Sequence, residues 1–303
     1  MWFRNLCLYR FSKPFSPAPD ELEEQLAGRA FPPLNRLQPA TMGWYPPLGR
    51  EGRQLLHSAG GCHMLCARNE EKILPATAVR ELLDARIDEI QEREGRKVRG
   101  KEKQRLKDEV LLDMLPRAFS RSRNQYAYLD LKQGWLVVDT ASRNRAEAFL
   151  SLLRVTLGSL PVVPLGTQVP PSEVMTRWLA EKKPPAGFEI GDECELRAPG
   201  EEGGIVRIRN EELFSSEVES HLDAGKQVTR LALLFDQRIR FLVDEQLQVK
   251  RLRFEDMVLD EAAQGGAETP AEQFDADFNL MTLELGRFLP RLLALFGGVP
   301  EQS

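Results

Sequence analysis

The sequence predicts an α+β fold: antiparallel sheets with flanking helices, from which one helical hairpin protrudes as a finger. Three observations carry this. Apolar and polar residues alternate with the period of a strand near the start, around residues 126–138, and repeatedly beyond residue 188. Between residues 76 and 115 the apolar spacing switches to that of a helix, and Gly95 and Gly100 interrupt it midway. The cations are segregated: residues 93–123 hold eleven Lys and Arg against five Asp and Glu, in a 303-residue chain of formal net charge −5.

In chain order, Trp2, Leu6 and Leu8 share one face of a first strand, with Phe3, Cys7 and Tyr9 on the other. Both faces are apolar, which places the strand inside a sheet. Pro19-Asp20-Glu21 opens a short helix through Leu22 and Leu26, its acids favoured by the N-terminal dipole. The segment 42–47, MGWYPP, rich in turn residues and aromatics, is expected as a loop folded onto the sheet, and 62–68 as a strand. Val79, Leu83, Ile87 and Ile90 line one face of a helix over 76–92. GRKVRG then turns the chain, and Leu106, Val110 and Met114 stripe a return helix over 101–115 that Pro116 stops.

Strands over 126–131 and 135–138 and a helix over 146–157 follow; four prolines within 159–173 mark a boundary. Beyond it the pattern predicts strands at 188–196, 205–209, 228–235, 238–243 and 249–254. A helix is expected over 216–222, and a long one over 272–296, kinked or broken at Pro290. The resulting division is a central α+β domain (1–75 and 124–165), a helical finger or tip domain (76–123) and a C-terminal α+β base domain (166–303).

Catalytic signatures are missing. There is no Walker loop, GxGxxG or GxSxG, and only three histidines. Cys62, Cys66, His57 and His63 form the one candidate metal cluster, but on a strand the two Cys share a face that His63 does not, so core cysteines are expected. Asp275 and Asp277 are candidates to hold Mg²⁺ in a metal-dependent nuclease, or they serve the dipole of their helix. Neither cofactor nor metal nor catalytic residue is predicted. No run approaches the roughly 18 apolar residues of a membrane span, the N-terminus has no apolar leader core, and four cysteines are too sparse for a disulfide framework. A cytoplasmic protein is the expectation.

The cations are the positive signal. Lys97, Lys101 and Arg105 are expected as one row, Lys103 and Lys107 as a second, with Arg96, Arg99, Arg117, Arg121 and Arg123 around them. Arg207 and Arg209 share one side of a strand, as do Arg238 and Arg240, and Lys250, Arg251 and Arg253 follow. Like charges opposed across a sheet repel, which points to an anionic partner. Two readings fit: a solvated helix pair with many surface lysines, or a nucleic-acid surface. In the second, the scarcity of Asn and Gln beside these cations predicts phosphate contacts and little base readout. Phe119, between arginines past a helix end, either packs onto its own core or reaches another chain; side-chain chemistry favours the first.

Seven segments carry a resemblance: MGWYPP (42–47), EEKILP (70–75), LKDEVLLDMLPRAFSR (106–121), LGSLPVVP (157–164), AGKQVTRLAL (224–233), VKRLRF (249–254) and FDADFNLMT (274–282). In this order they resemble the RdgC family of recombination-associated proteins, over nearly the whole chain. The resemblance implies a bacterial, nucleoid-associated homodimer closed into a ring. It implies non-enzymatic binding of double-stranded DNA with little sequence preference, and antagonism of RecA-promoted strand exchange. It places Phe119 at the finger-to-finger contact that closes the ring, against the preference just stated, and a second contact between terminal domains.

Overall fold

A computed structural model of the protein describes residues 1–200 and 203–300. It is a mixed α+β chain with two antiparallel sheets. The first contains β1 (Cys7–Phe11), β2 (Ala40–Trp44), β3 (Leu56–Ala59), β4 (Cys62–Lys72), β5 (Ser120–Asp130), β6 (Trp135–Val138) and β7 (Val162–Pro164). Their order is β2-β4-β5-β6-β1-β7, and β3 extends β2's edge by also pairing with β4. The second runs β12-β11-β10-β8-β9, with β8 (Phe188–Arg197), β9 (Ile205–Arg209), β10 (Gln227–Phe235), β11 (Ile239–Asp244) and β12 (Val249–Phe254).

Strand alternation decides what each face of the first sheet meets. Cys7, Tyr9, Leu65, Leu129 and Val138 pack under α1 (Pro19–Ala27) and α4 (Arg143–Leu157), through Leu22, Leu26, Phe149 and Leu153. Leu8, Met64, Tyr128 and Val137 face the other way, into a core shared with the second sheet. The 26-residue helix α8 (Pro270–Leu295) serves both: its Phe278 meets Tyr128, and its Phe288 meets Phe235 and Phe241. The sheets are also stitched by backbone, since Leu6 and Val249 exchange N–H···O=C bonds of 2.7 and 3.2 Å.

Several elements depart from the expectations. Residues 42–44 of the expected loop are strand instead, since β2 pairs with β4 from Ala40↔Glu71 to Trp44↔Ala67, while 45–47 lie outside any strand. Gly43 permits this because a Cβ there would fall 2.6 Å from the Phe31 Cα. Phe3 joins Leu6 and Leu8 rather than Cys7, because regular pairing begins only at Cys7. Helices α5 (Pro171–Ala180) and α7 (Asp256–Ala263) were not expected; α5 starts on Pro171, whose missing N–H costs nothing in a first turn. Helix α8 runs on through Pro290. Proline leaves the Gly286 carbonyl without its helical donor, and the Gln133 side chain donates to it at 3.2 Å. The Thr269–Glu272 capping box secures its other end.

Candidate nucleic-acid interface

Strands β4 and β5 pair over their full length, from Cys62↔Asp130 to Lys72↔Ser120. From that last rung the chain leaves as α2 (Ala76–Glu94), returns as α3 (Lys101–Met114), and closes with a 3-10 turn (Leu115–Arg117). The two helices have a small core of their own, made of Leu83, Val98 and Leu106 with Ile87 and Ile90 beside them. Gly95 (φ 63°) and Gly100 (φ 54°) supply the left-handed backbone that lets Val98 fold under the turn. Tucking Val98 inward turns its neighbours outward, and Lys97 and Arg99 are exposed. Lys97 therefore lies in the turn, and the expected row with Lys101 and Arg105 does not run along one helix.

Charge pairing divides these cations. Arg96 is bonded to Glu94 and Glu102, both at 2.7 Å, and Arg105 lies 3.5 Å from Glu109. Lys97, Arg99, Lys101, Lys103, Lys107 and Arg117 have no carboxylate within ion-pair distance among the described residues, and all are exposed. Arg121 and Arg123 sit on β5, on the sheet itself. Arg121 meets Glu71 at 2.5 Å, and this bond, more than burial opposes it, holds the Glu71 carboxyl below its usual value; Arg123 and Arg145 add their charges. Phe119 is 85% exposed, so it does not pack onto its own core. It borders an apolar groove of about 540 Å³ whose walls include Ile73, Leu82, Val110 and Met114.

The second sheet holds its cations differently. Glu195 on β8 lies opposite Arg207 on β9 and Arg230 on β10, and Arg230 lies opposite Asp244 on β11. The bonds of Arg207 and Arg230 to Glu195, at 2.7 and 3.2 Å, follow that register, and Lys250, opposite Leu242, reaches diagonally to Asp244 at 2.7 Å. A row of alternating sign thus crosses all five strands. Glu193 similarly receives Arg209 at 3.2 Å and Arg251 at 2.6 Å. Arg251 has φ 49°, at an irregularity where β12 slips against β11. For these side chains the repulsion expected from same-side cations is relieved within the chain, whereas Arg253, exposed and opposite Arg240 across β11 and β12, has no carboxylate within ion-pair distance among the described residues. Arg238 precedes β11 and parts from Arg240: it reaches Glu284 on α8 (2.9 Å) and Glu261 on α7 (2.7 Å), while Arg240 pairs with Glu255 at 3.2 Å.

The remaining candidates are not assembled into a site. Asp275 and Asp277 stand two apart on α8, about 200° around it. Asp275 faces His57 at 3.2 Å, whereas Asp277 binds the Met1 ammonium. Among the described residues no group of three or more His, Cys, Asp or Glu is placed to hold a metal. Cys62 and Cys66 are buried and unpaired, and burial pushes both thiols up to about 12. No helix among the described residues is long and apolar enough to cross a membrane. The sequence reading missed Glu193 and Glu195, although both alternate along DECELR at the period that singled out Arg207 and Arg209.

Fold and surface together define a mixed α+β protein that carries one cluster of exposed cations on a helix pair and a second group on its five-stranded sheet. Comparison with known families places it further. Residues 1–299 match the family model described as "Putative exonuclease, RdgC". The chain is 43% identical over 303 residues to the recombination-associated protein RdgC of Halorhodospira halophila, covering all of both chains. It is also 43% identical over 303 residues to that of Aeromonas hydrophila, and 42% over 301 residues to that of Proteus mirabilis. The chain belongs to the RdgC family of recombination-associated proteins.

Proposed function

We propose that this protein is a non-enzymatic, sequence-independent binder of double-stranded DNA that works as a ring-shaped homodimer in the nucleoid and restrains RecA-promoted strand exchange. The carrying observation is the set of exposed cations on the helix pair without carboxylate partners. Each is free to meet a phosphate, and releasing condensed counterions favours the exchange. The protein's net charge of −5 opposes DNA at a distance, so the cations act where an enclosed surface concentrates their field. On this reading α2 and α3 are the finger of the three-part division, inserted within the central domain and followed in the chain by the base domain.

Phe119 and the groove beside it supply the closing contact. A two-fold axis brings each Phe119 to the partner's groove, so both are buried at once. Burying two phenyl rings is worth about 4 kcal/mol, roughly a thousandfold in dimer dissociation. Phe119→Ala is expected to weaken dimerisation by that order in sedimentation and to loosen the hold on closed circular DNA. A dimer unchanged by this variant would remove the gate.

The direct test is binding of a fluorescent random-sequence duplex across a salt series with Mg²⁺ present, followed by inspection of the DNA. A linear fall of log K with log salt, about −0.9 per phosphate neutralised, with intact DNA, supports the clamp. Cut DNA would favour the nuclease alternative suggested by the family's description, through a site other than the separated Asp275 and Asp277. No binding at low salt would sink the proposal.

A further inference from the structure

The carboxylate of Glu195 sits at the centre of the sheet's alternating row, and its surroundings are unusual. It is buried, yet Arg207 and Arg230 bond to the same oxygen, Oε2, at 2.7 and 3.2 Å, and Arg197 lies 3.9 Å from Oε1. The Thr229 hydroxyl completes the site, donating to Oε1 at 3.2 Å. Arg207 is itself exposed, and Arg197 and Arg230 are half-buried with their side chains partly open to solvent. One carboxylate cannot neutralise three guanidiniums, so the solvent side of this node carries surplus positive charge above a buried negative one.

The shared oxygen also fixes distance. Two guanidinium nitrogens bonded to one oxygen are no farther apart than the two bond lengths combined, close enough for both groups to meet the two free oxygens of one phosphodiester. Arginine's fork keeps further N–H groups for that purpose while one bonds Glu195. Ordering a long side chain normally opposes binding, and here the order exists before the ligand arrives.

We infer that Arg230 is a phosphate-contacting residue alongside Arg207, and that Glu195 is a positioning residue that holds the two guanidiniums as a preformed phosphate clamp. This rests on the DNA-binding reading above and adds to it a site on the sheet, remote in sequence from the helix pair. It also reverses the naive sign of an acid near DNA. Deleting a carboxylate beside a polyanion tightens binding if charge alone matters; deleting this one frees two arginines and loosens it.

The experiment is duplex binding by the full chain across a salt series, with thermal melts in parallel. Arg230→Gln is expected to lower the slope by about 0.9, one phosphate contact, and to weaken binding about fivefold at moderate salt, within the range of a lost ionic contact. Glu195→Gln is expected to weaken binding about threefold through lost preorganisation, with Glu195→Asp restoring most of it. Tighter binding by Glu195→Gln would overturn the positioning role. An unchanged slope in Arg230→Gln would overturn the clamp even if the Glu195 variants fail to fold. Failure of the unaltered protein to bind would instead bring down the DNA-binding reading, and the clamp with it. Binding that persists while Arg230→Gln changes nothing would overturn the clamp alone.

Discussion

The helix pair and the second sheet are both rich in Lys and Arg, yet most of those on the sheet meet acids while most of those at the hairpin turn and the first turn of α3 do not. On the helix pair, Lys97, Arg99, Lys101 and Lys103 extend from a turn and a first helical turn whose one acid, Glu102, is taken by Arg96. On the sheet, Arg207, Arg209, Arg230, Lys250 and Arg251 stand over Glu193, Glu195 and Asp244. The reason is geometric. A two-helix hairpin with a three-residue core has little interior in which to bury an acid beneath a cation, whereas a five-stranded sheet brings side chains from separate strands to within bonding distance. The free cations cost little to remove and give much to a polyanion. The paired ones are tied to the stability of the fold as well.

This contrast can be broken in graded ways. The largest effect is expected at Arg238, the most enclosed of the paired cations. Among the described residues, Arg238→Gln leaves Glu284, 1% exposed, with only the exposed Arg287 at 3.3 Å. Orphaning a buried carboxylate costs roughly 3 kcal/mol, to be read as a lower denaturation midpoint at unchanged salt slope of DNA binding. A loss of slope would return Arg238 to the DNA surface. Replacing Lys97, Lys101 and Lys103 together with Gln is expected to do the converse. The slope falls by about 2.7 and affinity by about a hundredfold, with thermal stability the same within about 0.5 kcal/mol.

Arg207→Gln falls between, losing one unit of slope and about 1 kcal/mol of stability, since Arg230 still holds Glu195. The smallest effect is in pH. Burial raises the Glu195 pKa, but the Arg207 bond and the Arg230 charge outweigh it and leave it below the ordinary 4.5. A depressed carboxylate contributes stability that is present above its unfolded pKa and lost as pH falls through the folded one. Melts between about pH 6 and pH 3 should therefore fall less steeply in Glu195→Gln than in the unaltered protein. Parallel curves would show that the row contributes nothing to the fold.

Much of the architecture was legible because it rests on local periodicity. Val79 with Leu83, and Leu106 with Val110, are the buried positions of α2 and α3, as their spacing implies. The strands of the second sheet fall within a residue or so of their alternating runs. What was illegible depends on register and neighbours. Nothing in linear order says that Glu195 will lie between Arg207 and Arg230, because that follows from how β8 threads between β9 and β10. The MGWYPP segment reads as a loop because its Gly and Pro outweigh a strand that exists only by pairing with β4. The divergence of Asp275 and Asp277, by contrast, was available from helical geometry alone.

The stitch between Leu6 and Val249 has a consequence in time. Residues 4–6 hydrogen-bond with 249–252, and Gln248 donates to Cys7 across a separation of 241 residues. An early stretch of the chain is thus completed by one made some 240 residues later. At about 5–20 residues per second, the amino-terminal edge waits on the order of tens of seconds for its partner strand. Through that interval Trp2 lacks the Phe254 ring that covers it in the finished fold, and sequestering it is a task for whatever meets the nascent chain.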